Sequence, residues 1–180
     1  MNAVAAPGHK NEIDPGRRFE ALLLAAESVR DLEAGLQEIL TSAIRQVDAQ
    51  KGIIQKLDAQ CTLHICAQCG YDEEYLSCYR QISAKDNRAC SRAVRSGAAV
   101  FIRDIDLDPD YRPYVEGARV AGYRSVLSFP IFSPGGNLLG VMCAHLAEPK
   151  DIPGEALASF DVHARLAARF MERLVRDEQA

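Results

Sequence analysis

The side chains of this 180-residue chain best suited to chemistry are its six cysteines and four histidines. Cys66 and Cys69 form a Cys-x-x-Cys pattern, but the residues around them alternate like a strand. Period-two geometry sends positions of opposite parity to opposite faces, so this pair is not expected to share a tetrahedral metal, and packed thiols are the expectation. Cys90 is different. It falls in the first turn of an expected helix, near Arg88 and Arg92. A helix N-terminus and neighbouring cations both favour thiolate over thiol, so this position could support a nucleophilic or redox-active sulfur. Its plainer alternative is a small buried apolar thiol. No Ser-His-Asp arrangement can be assembled. His9 lies near the N-terminus and His163 on the last helix, which leaves His64 and His145 as histidines able to reach a pocket.

The elements that must position these groups can be read from periodicity. Residues 1–16 are small, polar and punctuated by Pro and Gly, and read as a disordered arm; residues 178–180 read as a tail. A helix is expected from Arg17, with Phe19, Leu22, Leu23, Ala26 and Val29 on one stripe. Asp31 can cap a continuation whose stripe is Leu32, Leu36, Ile39, Leu40, Ala43 and Val47, with Gly35 as a mild flaw. Two strand-like runs follow, 51–59 and 61–69, joined by a turn at Asp58-Ala59-Gln60 into an antiparallel hairpin. In the second run Cys61, Leu63, Ile65, Ala67 and Cys69 are expected on one face.

Residues 71–81 read as a helix with Tyr75, Leu76 and Tyr79 inward. Asp86 or Asn87 can cap a helix over 88–96 that ends at Gly97. A strand over 98–104 leads to Asp108-Pro109, an N-cap with proline at the first helical position, which opens a helix to about Ala121. Strands over 124–132 and 138–146 flank a Gly-Gly turn. The last helix, 154–176, carries one stripe through Leu157, Phe160, Ala164, Ala167, Met171 and Leu174 and a second through Val162, Leu166 and Phe170. The second stripe could face another subunit, or both could form a single wide core-facing surface.

Composition excludes several classes. A net charge of −4 with no basic stripe argues against binding a phosphate backbone, and the absence of Trp removes the best stacking platform for single strands. No run is long and apolar enough to span a bilayer, and no secretory signal is visible, so a cytoplasmic protein with free thiols is expected. No nucleic acid or membrane partner is expected.

Leu57-Asp58, Leu63-His64-Ile65-Cys66-Ala67 with Gly70, Ala93…Gly97 before Val100, Asp104-Ile105, Ala121-Gly122-Tyr123-Arg124-Ser125, Phe129-Pro130-Ile131 and Gly136-Asn137-Leu138-Leu139-Gly140-Val141 together resemble the GAF domain. Ala89-Cys90-Ser91-Arg92-Ala93, Ser128-Phe129-Pro130 and Glu148-Pro149…Pro153 look like the GAF domains of bacterial sensor histidine kinases. The resemblance implies one α+β, GAF/PAS-like domain over residues 17–177. Its mostly antiparallel sheet of five or six strands would have the N- and C-terminal helices on one face and the middle helices and loops on the other. It also implies a sensory or regulatory domain of signal transduction, without a predicted cofactor. Such a domain would bind an unidentified small molecule, pair as a homodimer through its terminal helices, and serve a sensor kinase or other output domain.

The candidate pocket residues are Cys90, Phe101, Asp104, Tyr111, Tyr114, Arg124 and Ser128. Arg112 shares the pocket-covering segment with the two tyrosines. A buried Arg124 would demand an anion, for which Asp104, Glu116 or a ligand could serve. A thiol enzyme using Cys90, similar to the GAF-type free methionine sulfoxide reductases, is the alternative; a dimerisation module without ligand is another. The reductases use further cysteines in the loop before the penultimate strand, and residues 110–123 contain none.

Overall fold

The structure, a computed structural model, describes residues 32–178. The expected arm over 1–16, the stripe from Phe19 to Val29, the Asp31 cap and residues 179–180 lie outside the described residues.

Helix α1 (Leu32–Gln46) buries the whole expected stripe: Leu36, Leu40 and Ala43 are fully enclosed, with Leu32 and Ile39 nearly so. It leads to strand β1 (Lys51–Leu57), which turns tightly through 58–61 into β2 (Thr62–Cys69). Helix α2 (Glu73–Tyr79) is capped by the Asp72 carboxylate, which accepts from the Tyr75 N–H at 2.8 Å. A short strand, β3 (Gln81–Ser83), occupies the place where the end of that helix was expected, and pairs with β2. Helix α3 (Ala89–Ser96) ends in the left-handed Gly97, whose N–H bonds back to the Ala93 carbonyl. Strand β4 (Val100–Ile102) follows, then 3₁₀ turns at Ile105–Leu107 and Pro109–Tyr114. Helix α4 (Val115–Val120) begins only after Pro113, so the helix expected to run from Pro109 to Ala121 is divided. Pro113 lacks the N–H that a continuous α-helix would use there. Strands β5 (Ser125–Phe132) and β6 (Leu138–Leu146) form the last hairpin, and α5 (Gly154–Glu178) closes the chain.

The six strands form one sheet in the order β3-β2-β1-β6-β5-β4, with every pair antiparallel. Side chains alternate between two layers. Ile54, Leu127, Ile131, Met142, Ala144 and Leu146 pack against α1 and α5. Ile53, Val126, Val141 and Cys143 face the layer built from α2, α3 and the 105–120 segment.

One β-bulge changes the expected alternation. Ile54 pairs with Ala67, but the next residue, Gln55, pairs with Ile65, so Cys66 is the extra residue. A bulge reverses side-chain parity beyond it. Leu63 therefore packs in the α3 layer, whereas Ala67 packs in the α1/α5 layer. Cys66 and Cys69 both contact the α1/α5 layer, which corrects the expectation that they face opposite ways. The Cys66 thiol donates to the Ile54 carbonyl at 3.4 Å, and burial pushes its pKa to about 12, so it is an inert packing group. Among the described residues no cluster of three or more metal-ligating side chains forms.

The two stripes of α5 make one wide surface within the chain. Leu166 and Phe170, offered by the sequence to a second subunit, are buried like Phe160 and Met171; only Val162 of that stripe is exposed. Gly35 is the reason. The Phe170 ring occupies the space where a Cβ at position 35 would stand, so Gly35 permits close approach of the two helices. Alanine there would gain up to about 1 kcal/mol of helix propensity. It would also overpack a ring held on a buried helix, at a cost of about 1–3 kcal/mol. Gly35→Ala is therefore expected to lower the unfolding free energy in a denaturant titration, and Phe170→Leu in the same chain is expected to recover part of the loss.

Candidate functional site

The candidate site lies between the sheet and the layer of α2, α3 and residues 105–120. Small residues on α3 make the approach possible: Ala89, Cys90, Ala93 and Val94 are buried against β5 and β6. Polar clamps hold this layer in place. The Ser91 hydroxyl donates to the Ser83 carbonyl at 2.9 Å. Arg92 makes a two-pronged ion pair with Asp108 at 2.8 and 2.7 Å, while Asp108 also caps the 3₁₀ turn by accepting from the Asp110 and Tyr111 N–H groups. The Arg92 guanidinium holds the Asp108 carboxyl below its usual pKa. The expected Asp86 or Asn87 cap is replaced by Arg88 at the N-cap position; Asp86 accepts from the Arg88 N–H and from its guanidinium.

The chain has six tyrosines, and all six gather here. Tyr75, Tyr79, Tyr111, Tyr114 and Tyr123 line the cavity, and Tyr71 stacks behind Tyr75 with ring centres 4.2 Å apart. Tyr71, Tyr75 and Tyr79 follow at intervals of four, so the two on α2 share a face, with Tyr75 and Tyr79 at 4.4 Å. The Tyr111 and Tyr123 hydroxyls are 3.1 Å apart, and burial raises the pKa of both phenols. The Arg88 guanidinium lies 4.2 Å from the Tyr114 ring centre and 5.5 Å from that of Tyr79, and closes one side of the cavity as a cation over two aromatic faces.

His145 enters from β6 with the parity of Cys143 and Val141, is 5% exposed, and packs 4.5 Å from the Tyr123 ring. Its Nδ1 has no hydrogen-bond partner. Burial first, and then the Lys51 charge, lower its pKa to about 3, so the ring is neutral at physiological pH. Ser128 stands across the β5–β6 ladder from Cys143, with Oγ 3.1 Å from Sγ. Burial raises the Cys143 pKa well above its usual value, whereas the Cys143 thiol lowers that of Cys90. The free space enclosed by these groups is about 30 Å³, and it is partly open to solvent. A second, shallower depression of about 400 Å³ lies on the outer side of residues 105–119 and includes Arg112; its lining is largely surface charge.

Of the expected pocket residues, Cys90, Tyr111, Tyr114 and Ser128 line the cavity. Phe101 does not. Val100 and Ile102 take the inward parity of β4, which leaves Phe101 36% exposed on the other side. Asp104 and Arg124 also lie outside the cavity lining. The Arg124 side chain is 45% exposed and pairs with Asp104 at 2.8 and 3.1 Å, so it is a surface arginine already matched to a carboxylate. Asp104 in turn caps the first 3₁₀ turn. His64 bonds Asp58 at 2.6 Å beside the first hairpin turn and takes no part.

Sequence reasoning missed Arg88, Tyr123 and Cys143 as lining residues. Cys143 had a usable signal, because it lies opposite Ser128 once the hairpin register is known. Tyr123 had none, since it sits in the irregular link between α4 and β5.

The GAF domain family matches over residues 29–172. No curated protein matches the chain. Among solved structures, the GAF domain of an Acinetobacter phosphoenolpyruvate-protein phosphotransferase superposes with a TM-score of 0.73 at 12% identity, covering 91% of this chain and 96% of that one. A free methionine-R-sulfoxide reductase from Neisseria meningitidis, in complex with its substrate, gives 0.68 at 18% identity, with 96% of each chain covered. A domain of a Sinorhizobium meliloti protein described as a two-component sensor histidine kinase gives 0.63 at 16%, covering 84% and 98%. At these identities the likeness is one of fold.

His145 sets a pH dependence. Its folded-state pKa, about 3, lies below the ordinary 6.5, so between those values the unfolded chain binds a proton that the folded chain does not. Stability is therefore unaffected well above pH 6.5 and falls as pH drops toward 3, with a limiting slope of about 1.4 kcal/mol per pH unit. His145→Phe is expected to flatten the unfolding free energy between pH 6 and pH 4.5 relative to wild type, measured by urea titration at each pH; parallel curves would contradict this.

Proposed function

The chain belongs to the GAF domain family, and on that premise we propose that it is a sensory domain of signal transduction that binds a small polar molecule in the tyrosine-lined cavity. The observation that carries this reading is His145: a neutral, buried side chain with an unpartnered Nδ1 at the wall of a cavity lined by five tyrosines. A buried polar group without a partner costs about 1–3 kcal/mol, which a ligand able to hydrogen-bond to that nitrogen would offset. The tyrosine rings add apolar faces for a compact planar group, and their hydroxyls add orientation.

The enclosed space of about 30 Å³ suits only a very small molecule as it stands. Helix α2 contains no fully buried residue, so it is the part of the cover that can move aside most cheaply for a larger ligand. Occupancy would pass along β6, whose alternate residues touch the cavity layer and the α1/α5 layer. In this reading the domain is cytoplasmic, pairs as a homodimer through α1 and α5, and serves a sensor kinase or another output domain. Among the described residues no helix is long and apolar enough to cross a membrane.

The test is a thermal-shift screen of small polar metabolites, with hits confirmed by native mass spectrometry. A ligand at one hundred times its Kd is expected to stabilise the fold by about 2.7 kcal/mol. Tyr75→Ala and His145→Leu should abolish that shift, whereas Phe101→Ala should retain it. A screen without hits, or binding that survives both cavity variants, would refute the reading. Sedimentation as a monomer at micromolar concentration would refute the dimer.

A further inference from the structure

The ligand reading leaves two nucleophilic groups of the cavity without a role. Cys90 comes from the first turn of α3 and Cys143 from the middle of β6; both are buried, at 6% and 1% exposure, and both line the same small cavity. Within it, Cys143 favours the thiolate form of Cys90. The other four cysteines are elsewhere. Cys61 and Cys78 are exposed, and Cys66 and Cys69 contact the opposite layer.

Three features divide the roles within the pair. Cys143 first, and then Ser91 and Arg88, favour the thiolate of Cys90 against its burial and the Asp86 charge, and its pKa is lowered. Cys143 is held protonated by burial and by the Cys90 charge. Ser128, 3.1 Å from the Cys143 sulfur, can exchange a proton with it. The free space of about 30 Å³ has room for one or two water-sized groups, and thus for hydrogen peroxide.

We propose that Cys90 and Cys143 are a redox-active dithiol that reduces a small hydroperoxide entering this cavity and closes to a disulfide joining α3 to β6. In the first step the Cys90 thiolate attacks one peroxide oxygen. An S–O bond forms, the O–O bond breaks, and the departing oxygen takes a proton from the Cys143 thiol, leaving Cys90 as the sulfenic acid and one water. In the second step the Cys143 thiolate attacks the Cys90 sulfur. The S–S bond forms, the S–O bond breaks, and the leaving hydroxide becomes water with a proton from solvent through Ser128. Two thiols and one hydrogen peroxide give one disulfide and two waters, and an external dithiol reverses the change. The disulfide would lie among the residues that line the cavity, so oxidation would alter the same site that a ligand reads. The proposal rests on the two thiols and not on the ligand reading: either can fail without the other.

Reduced wild-type chain is exposed to a few equivalents of hydrogen peroxide, quenched, alkylated in denaturant, and examined by intact-mass and peptide-mapping mass spectrometry. The expected result is a loss of about 2 Da. Four of the six thiols should be alkylated, and the Cys90 and Cys143 peptides should be joined by a bond that dithiothreitol breaks. Cys143→Ser is expected to halt the reaction at a Cys90 sulfenic acid that dimedone traps, and Cys90→Ser to form neither product. Full alkylation of Cys90 and Cys143 after peroxide treatment overturns the proposal, as does a disulfide between any other pair. The decisive measurement uses the wild-type chain, so a poorly folding variant does not blunt it.

Discussion

Strand β6 is covered on both faces, and much of the structure follows from that. It lies between β1 and β5 in the sheet, so its backbone groups are paired on both edges. Its side chains must serve two different interiors in alternation. Met142, Ala144 and Leu146 enter the α1/α5 layer, while Val141, Cys143 and His145 enter the cavity layer. Both faces are largely shielded from water, so a polar side chain on β6 needs a partner inside the protein, and the His145 Nδ1 lacks one. On the helical side the sequence avoids the problem with apolar residues. On the cavity side it does not, and Cys143, Ser128, His145 and the tyrosine hydroxyls collect there.

The two layers are held by different forces. The α1/α5 side depends on apolar packing and on close approach at Gly35, which seats the Phe170 ring. The cavity side depends more on polar clamps: Arg92 with Asp108, Ser91 with the Ser83 carbonyl, and Arg88 between Asp86 and two aromatic faces. Polar clamps at partly exposed positions contribute less per contact than buried apolar area, and α2 has no fully buried residue at all. The cover of the cavity is thus the less firmly anchored side of a domain whose other side is held by apolar packing. Between them runs a strand that touches both.

The sequence made much of this legible where local rules act. Asp108-Pro109 is an N-cap, Gly97 is a left-handed C-cap, and the stripe Leu32, Leu36, Ile39, Leu40, Ala43 and Val47 lies inward. Ser128 and Tyr111 were expected to line a pocket and do line the cavity. The misreadings occur where a local rule was overridden. Strict alternation in β2 failed at Cys66, because one bulge reverses parity beyond it. Phe101 was expected to line the pocket, but β4 spans only three residues and Val100 and Ile102 hold the inward positions. Arg124 was expected to be buried against an anion; its side chain is 45% exposed, and Asp104 and Asp106 meet it.

By itself, then, the sequence determined most of the kinds of element, many of their ends, and which face of α1 is buried; for α5 it offered two stripes, and the structure buries most of both. Those properties depend on spacing and capping over a few residues, which a linear string carries in full. Only the tertiary structure decided what meets across the cavity. Cys90 and Cys143 come from a helix and a strand far apart in the chain, and the tyrosines come from α2, from the 3₁₀ turn and from the link before β5. Their convergence depends on sheet register and on the depth to which small residues let α3 settle. Neither quantity is encoded in any one stretch of sequence.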